Sequence, residues 1–298
     1  MKTVQWSLFL PAKTILAIIK RLFFREPKYK THLYQETKMM RTEKKQLLLL
    51  MLLILSFFAL AGCAKNIQRY GSVIGIPKEH IPEYKRLHAD TWPGVLKQVD
   101  KANIHNYSIY LGEVEKDRYY LFSYFEYTGN NFSADTARMA KDKTIQKWWT
   151  HTDPLQTRLP VRKEGEHWAT WEEVFHHTGP AYTKDQIKSR HGSVIGIPKE
   201  NILAYTQMHE TVWSGVLDSI ETCNIRNYSI YLGEIEKDNY LLFSYFEYIG
   251  DDFAADMKKI ANKVTKTWWT YTDPLQRKLP TRKEGEQWAT AEEVFHTD

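Results

Sequence analysis

Tyr84-Lys85-Arg86-Leu87-His88-Ala89-Asp90-Thr91-Trp92, followed after a short gap by Asn106-Tyr107-Ser108-Ile109-Tyr110-Leu111, is the stretch from which the rest of the chain is read. It returns as Tyr205-Thr206-Gln207-Met208-His209-Glu210-Thr211-Val212-Trp213 and Asn227-Tyr228-Ser229-Ile230-Tyr231-Leu232, each position displaced by 121. A repeat of that length is about one domain per copy, so the chain carries a duplicated domain rather than a solenoid of short units. The total of 298 residues agrees, since the usual prior for that length is about two domains.

Outward from this stretch, Gly71-Ser72-Val73-Ile74-Gly75-Ile76-Pro77 reads as a short apolar strand stopped by proline. Glu79 to about Ala102 predicts a helix, because Tyr84, Leu87, Val95, Leu96 and Val99 fall at spacings of three and four. Pro93 must interrupt it, so two helical pieces should meet just after His88. Asn106 to Glu113 and Tyr119 to Tyr127 have the Tyr, Phe, Ile and Leu content of strands, joined into a hairpin by Glu115-Lys116-Asp117-Arg118. Phe132 to Trp149 reads as a second helix, Pro154 to Glu166 as a loop and Trp168 to Phe175 as a last strand. The order is βαββαβ, a ferredoxin-like arrangement. Two helices on one face of four strands leave the other face apolar, and a second sheet of the same kind is its natural cover. The expected fold is therefore α+β, with two ferredoxin-like domains in tandem whose sheets pack as an intramolecular pseudo-dimer. The first domain is placed at 71–176, the linker at 177–191 and the second domain at 192–298. The second copy has one residue fewer before its Trp pair, which fits a change in a loop preceding a helix. Ser214 stands opposite Pro93, so the helix kinks of the two copies are expected to differ.

The net charge of +5 invites a nucleic-acid reading, but it is unevenly placed. Residues 1–62 hold 11 Lys and Arg against 3 Asp and Glu, which leaves 30 basic and 33 acidic residues for 63–298. Phosphate binding needs a concentrated cationic surface, so no nucleic-acid partner is expected of the duplicated body. Arg41, Lys44 and Lys45 precede an apolar run from Leu47 to Ala61, the pattern of a secretory signal. Its ending Leu60-Ala61-Gly62-Cys63 is similar to the lipobox of bacterial lipoproteins. Residues 39–62 are thus expected to be a lipoprotein signal peptide, with an uncleaved signal anchor as the rival. Lipid on Cys63 would hold the protein to a membrane surface on the periplasmic or extracellular side without spanning it, and residues 63–70 would be a tether. Translation is expected to start at Met39 or Met40, with residues 1–38 a non-native extension. Cys63 and Cys223 cannot build a disulfide framework; Cys223 replaces Ala102 and suits a small buried side chain.

The repeat also filters candidates for chemistry, because a residue that differs between copies cannot be needed by both. His80, His105, His151 and His167 meet Asn201, Arg226, Tyr271 and Gln287. Only His88 and His176 recur, as His209 and His296. His176 ends the last strand, where an edge or solvated role is expected. His88 lies four residues after Tyr84, on the same helix face, and histidine exchanges protons near neutrality. An isolated histidine is more often a satisfied core residue, but Tyr84, Tyr107 and Trp148-Trp149 recur with it as Tyr205, Tyr228 and Trp268-Trp269. Adjacent tryptophans on a helix cannot both point inward, so one packs while the other closes a pocket. Indole N–H and phenol O–H groups on large apolar faces suit a pyranose, with its C–H faces and rim of hydroxyls. Asp153 and Asp273, in Thr-Asp-Pro-Leu-Gln, read first as turn or cap residues. No Cys/His cluster has zinc spacing, and there is no phosphate loop or GxSxG elbow. No metal or cofactor is expected.

These blocks together resemble the L-rhamnose mutarotase family: Glu83-Tyr84, His88 and Trp92-Pro93; Asn106 to Leu111; Trp148-Trp149 with Thr152-Asp153; and Glu172-Glu173-Val174-Phe175. The second copy carries Tyr205, His209, Trp213, Asn227-Tyr228, Trp268-Trp269, Asp273 and Glu293-Val294-Phe295. The resemblance implies protomers that pair sheet to sheet into a dimeric αβ-barrel and interconvert the α and β anomers of L-rhamnose. It implies proton donation by His88 and His209. It implies sugar binding by Tyr84, Tyr107, Trp148 and Trp149, and by Tyr205, Tyr228, Trp268 and Trp269. The tandem makes the dimer intramolecular, and the export signal admits a related exported sugar. Two other readings stand beside it: a non-catalytic sugar-binding lipoprotein, which would use the same aromatics, and a different small-molecule enzyme of the dimeric αβ-barrel type, such as a monooxygenase.

Overall fold

The computed structural model describes residues 67–298. The expectations for residues 1–38, for the signal over 39–62 and for lipidation at Cys63 lie outside them. Among the described residues no helix is long and apolar enough to cross a membrane.

The first copy runs through β1 (Gln68–Ile76), α1 (Ile81–Ala89), α2 (Pro93–Lys101), β2 (Ile104–Glu115), β3 (Arg118–Tyr127), α3 (Phe132–Ala140), α4 (Lys143–Thr152) and β4 (Ala169–His177). The second repeats it as β5 (Ser189–Ile197), α5 (Ile202–Glu210), α6 (Ser214–Thr222), β6 (Ile225–Glu236), β7 (Asn239–Tyr248), α7 (Phe253–Ile260), α8 (Lys263–Thr272) and β8 (Ala289–Thr297). β1 and β5 reach back to Gln68 and Ser189, so strand pairing takes up residues left by the sequence to tether and linker.

Three local expectations are corrected. The break between the first two helices occurs in both copies, with Trp92 at φ −57°, ψ 133° and Trp213 at φ −58°, ψ 134°. Proline does not cause it; Pro93 occupies a first-turn position whose N–H has no helical partner anyway, and Ser214 serves equally. The stretch 132–149 is two helices, because Asp142 accepts hydrogen bonds from the amides of Thr144 and Ile145 and starts a new one. Asn262 does the same for Thr265. The residue missing from the second copy is lost from α7, of 8 residues against the 9 of α3, while the two-residue link is kept.

All eight strands form one closed barrel in the order β1-β3-β2-β8-β5-β7-β6-β4. Within each copy the strands pair as a ferredoxin-like sheet should, β1 lying between β3 and β4. The edges are also bonded across copies. β4 runs antiparallel to β6, with Glu172 opposite Leu232 and His177 opposite Tyr228, and β2 runs antiparallel to β8. Closure leaves no strand edge unpaired, which removes the usual template for aggregation.

The barrel interior is solid. Tyr110, Phe122, Tyr124 and Trp171 of the first copy pack with Tyr231, Phe243 and Tyr245 of the second. Tyr124 and Tyr245 stack at 3.7 Å between centroids. The Tyr231 ring lies where a Cβ on Gly71 would be, and the Tyr110 ring occupies the same place against Gly192. At this layer Asn106 and Asn227, at φ 47° and 48° in matching β-bulges, turn their side chains inward. Each amide group donates to both Glu126 and Glu247, between 2.6 and 3.1 Å. A wholly buried Glu247 is thereby satisfied. Tyr182, from the linker, donates to its other oxygen. With the interior full, a ligand has no room inside the barrel.

Candidate active site

On the outer face of the barrel α1 and α5 each bring the recurring tyrosine and histidine together. In the first copy the rings of Tyr84 and His88, one turn apart, stack at 4.0 Å between centroids; Tyr205 and His209 repeat this at 4.0 Å. Trp148 packs edge-on to His88 at 5.5 Å and Trp268 to His209 at 5.7 Å. Trp92 and Trp213, at the helix break, each hold that tryptophan at 5.3 Å. Trp148 and Trp268 are buried while Trp149 and Trp269 are half-buried, the division of labour predicted for adjacent indoles.

The wall opposite comes from the other copy. Because β4 pairs with β6, Phe175 of the first copy lies edge-on to His209 at 5.8 Å and to Tyr228 at 5.4 Å. Phe295 of the second stands against His88 at 5.5 Å and Tyr107 at 5.4 Å. Each site is therefore composite. The closing Glu-Glu-Val-Phe block is visible in the sequence, but nothing local says that it serves the neighbouring copy.

A cavity of about 390 Å³ opens in the second copy. Tyr205, His209, Tyr228 and the Trp268–Trp269 pair line it, as does Phe175. All five second-copy residues predicted to contact substrate thus converge on one space. Asp273 and Gln276, from the Thr-Asp-Pro-Leu-Gln segment, also line it, with Gln287 beyond. Burial raises the pKa of the Asp273 carboxyl, and Lys278 pulls against it. The Gln276 amide faces the Tyr205 hydroxyl, and Gln156 faces Tyr84 in the first copy. Gln287 Nε2 donates to Gln276 Oε1 at 3.2 Å. In the first copy His167 takes that place, bonded to Gln156 Oε1 at 2.8 Å and 3.7 Å from Asp153. The glutamines escaped the sequence reading, although both close a segment that recurs.

The histidine protonation states follow from their partners. His88 Nδ1 lies 3.0 Å from the Tyr84 carbonyl oxygen and His209 Nδ1 2.9 Å from that of Tyr205. A carbonyl only accepts, so Nδ1 carries the proton and Nε2 of the neutral ring carries a lone pair. Burial disfavours the imidazolium and brings His88 down to about 4 against the bond to Tyr84. His209 is lowered for the same reason. Burial also holds Tyr107 and Tyr228 at about 12, so both keep their phenolic protons.

His176 and His296 are not at a sheet edge, which corrects the sequence reading. Cross-copy pairing half-buries them in the barrel seams, where His176 Nδ1 meets Ser229 Oγ at 2.9 Å and His296 Nδ1 meets Ser108 Oγ at 2.9 Å. Burial first, then the charge of Arg69, brings His176 down to about 3. Cys223 is buried like its counterpart Ala102.

Comparison with known proteins places this geometry. The family described as L-rhamnose mutarotase matches residues 69–177 and again 190–297. L-rhamnose mutarotase of Oceanobacillus iheyensis is 29% identical over 89 residues, which are 30% of this chain and 80% of that protein. The L-rhamnose mutarotase of Lactiplantibacillus plantarum is 29% identical over 112 residues, 36% of this chain and 96% of its own length. That of Ligilactobacillus salivarius is 30% identical over 113 residues, covering 36% and 95%. Each relative is thus matched nearly whole by about a third of this chain, the span of a single repeat. With both repeats matched, the chain belongs to the L-rhamnose mutarotase family.

Proposed function

We propose that the protein is an aldose mutarotase that interconverts the α and β anomers of L-rhamnose, or of a closely related exported sugar, at two sites of one chain. The observation that carries this reading is the cavity walled by His209, Tyr205, Tyr228 and the Trp pair, whose counterparts are assembled in the same way around His88. In this reading the two repeats stand in for the two protomers of a dimeric barrel.

Ring opening needs a proton removed from the anomeric hydroxyl as the ring oxygen gains one. A resting His88 or His209 is neutral with its Nε2 lone pair uncommitted among the described residues, so its first act is to accept, not donate as the sequence reading expected. Nε2 takes the proton of O1, the O1 electrons form the C1=O1 bond, and the C1–O5 bond breaks with its pair left on O5. Tyr107 or Tyr228, protonated in the resting site, supplies the proton to O5 and is left as a phenolate beside the imidazolium until reclosure returns the proton. After rotation about C1–C2 the steps reverse on the other face of the aldehyde, and both residues recover their starting states. The apolar faces of the sugar lie on Trp149 or Trp269.

The leader supports a place at a membrane surface, through lipid on Cys63 after the Leu60-Ala61-Gly62 sequence. Cys63→Ser should abolish incorporation of labelled fatty acid and release the protein from the membrane fraction.

Saturation-transfer NMR of L-rhamnose on protein beginning at Ala64 tests the activity. Exchange should fall in each single variant, His88→Ala and His209→Ala, and reach the buffer rate only in the double. The loss should be on the order of 10²–10⁴-fold. Sugar binding that persists with no exchange above buffer in the wild type would favour a binding lipoprotein instead.

A further inference from the structure

The two sites are not copies of one another at the wall facing the second pair of helices. The corresponding residues of the first copy, Val95 and Val99 from α2 with Ile145 and Trp148 from α4, are all buried in one apolar cluster. In the second, Val216, Ile220 and Trp268 keep the apolar character, but Thr265 of α8 stands where Ile145 does. Thr265 is 2% exposed and lines the cavity. Its amide bonds to the capping Asn262, yet its hydroxyl has no hydrogen-bond partner among the described residues. A buried hydroxyl left unpaired is unfavourable, because it has given up water without gaining a partner. Unless something else in the site meets it, an apolar residue of the same shape would serve the fold better.

L-Rhamnose has one apolar substituent, the methyl on C5, and an otherwise hydroxylated rim. The methyl belongs against an apolar wall, and the wall of Val95, Val99 and Ile145 offers one with no polar atom. The same wall in the second copy presents a hydroxyl in need of a partner. We propose that the second site takes an aldose with a hydroxymethyl group where L-rhamnose has its methyl, an L-mannose-type hexose, with Thr265 bonding the added hydroxyl. The first site takes the 6-deoxy sugar. The proposal rests on the mutarotase reading for its assay, not for the unpaired hydroxyl that motivates it. One chain would then serve both members of a mixture of deoxy and fully hydroxylated sugars. Discrimination follows because a site built to bond a hydroxyl leaves its own group unpaired when the deoxy analogue binds.

Anomer exchange of L-mannose and L-rhamnose is to be measured with one site silenced at a time, His209→Ala reporting the first and His88→Ala the second. The ratio of L-mannose to L-rhamnose exchange, both sugars far below saturation, should be about tenfold higher for the second site. Thr265→Val, which removes only the hydroxyl, should bring that ratio down about tenfold, and Ile145→Thr should raise it at the first site. Without sugar, Thr265→Val should melt no lower than wild type, since the hydroxyl it removes is unpaired. Equal ratios at the two sites, an unchanged ratio in Thr265→Val, or a lowered melting temperature in that variant would each overturn the proposal. Absence of exchange with either sugar would instead defeat the mutarotase reading. Calorimetric titration of both sugars into wild type and Thr265→Val then decides the preference, which is refuted if L-mannose binds both proteins alike.

Discussion

The protonation state of His88 makes the sharpest prediction, because it sets both a pH profile and a tautomer. Folding lowers the imidazole from 6.5 to about 4 by withdrawing it from water. Between those values the unfolded chain holds a proton that the folded chain does not. The histidine therefore costs nothing above pH 6.5, and stability is lost as pH falls from 6.5 toward 4. That lowering amounts to about 3 kcal/mol once pH is below both values. In the single-site variant His209→Ala, exchange of L-rhamnose anomers should stay flat from pH 8 to about 5. It should then fall with an inflection near 4, after subtraction of acid catalysis by buffer. Long-range ¹H–¹⁵N correlation on the same protein should show the proton on Nδ1 at neutral pH and titration at the same inflection. A rate that rises on acidification through pH 6.5, or an Nε2–H tautomer at pH 7, would refute the reasoning and restore the histidine as the initial acid.

Other outcomes test the architecture. Phe175→Ala should slow the second site, read in a His88→Ala background, and leave the first site within twofold, because its ring stands against His209 and Tyr228. Gly71→Ala should lower stability by about 1–3 kcal/mol in urea melts, since the new Cβ would sit 2.4 Å from the Tyr231 ring. Asn106→Ala should cost several kcal/mol by leaving Glu247, Glu126 and Tyr245 short of partners. Asn106→Gly should recover only a small part of that loss, because the positive φ is the lesser term. Pro93→Ser should shift the melt by less than about 1 kcal/mol, given that Ser214 starts the equivalent helix without proline.

Much of this molecule is local and could be read from the chain. Strand and helix periods, the hairpin around Asp117 and the pairing of Tyr84 with His88 depend on residues a few positions apart. The recurrence, at 121 residues and then at 120 past the shortened helix, separated residues that both copies can need from those that at most one can. Where local reading failed, a competing local signal was weaker than tertiary need: Pro93 drew attention to a helix break that Trp92 and Trp213 adopt regardless, and the cap at Asp142 was hidden within a plausible helix.

By itself the sequence determined the duplication, the βαββαβ order and the cluster of histidine, tyrosines and tryptophans. Only the tertiary structure decided that the two sheets close into one barrel by bonding β4 to β6 and β2 to β8. That closure puts Phe175 and Phe295 into each other's sites and turns His176 from an edge residue into a seam residue. Packing of α4 and α8 within their own copies buries Ile145 and Thr265 at corresponding positions, where one hydroxyl distinguishes them. The physical reason is that hydrogen-bonding edges are alike along any strand. Which edge a strand meets is settled by how whole faces bury together, a condition that no stretch of the chain carries within itself.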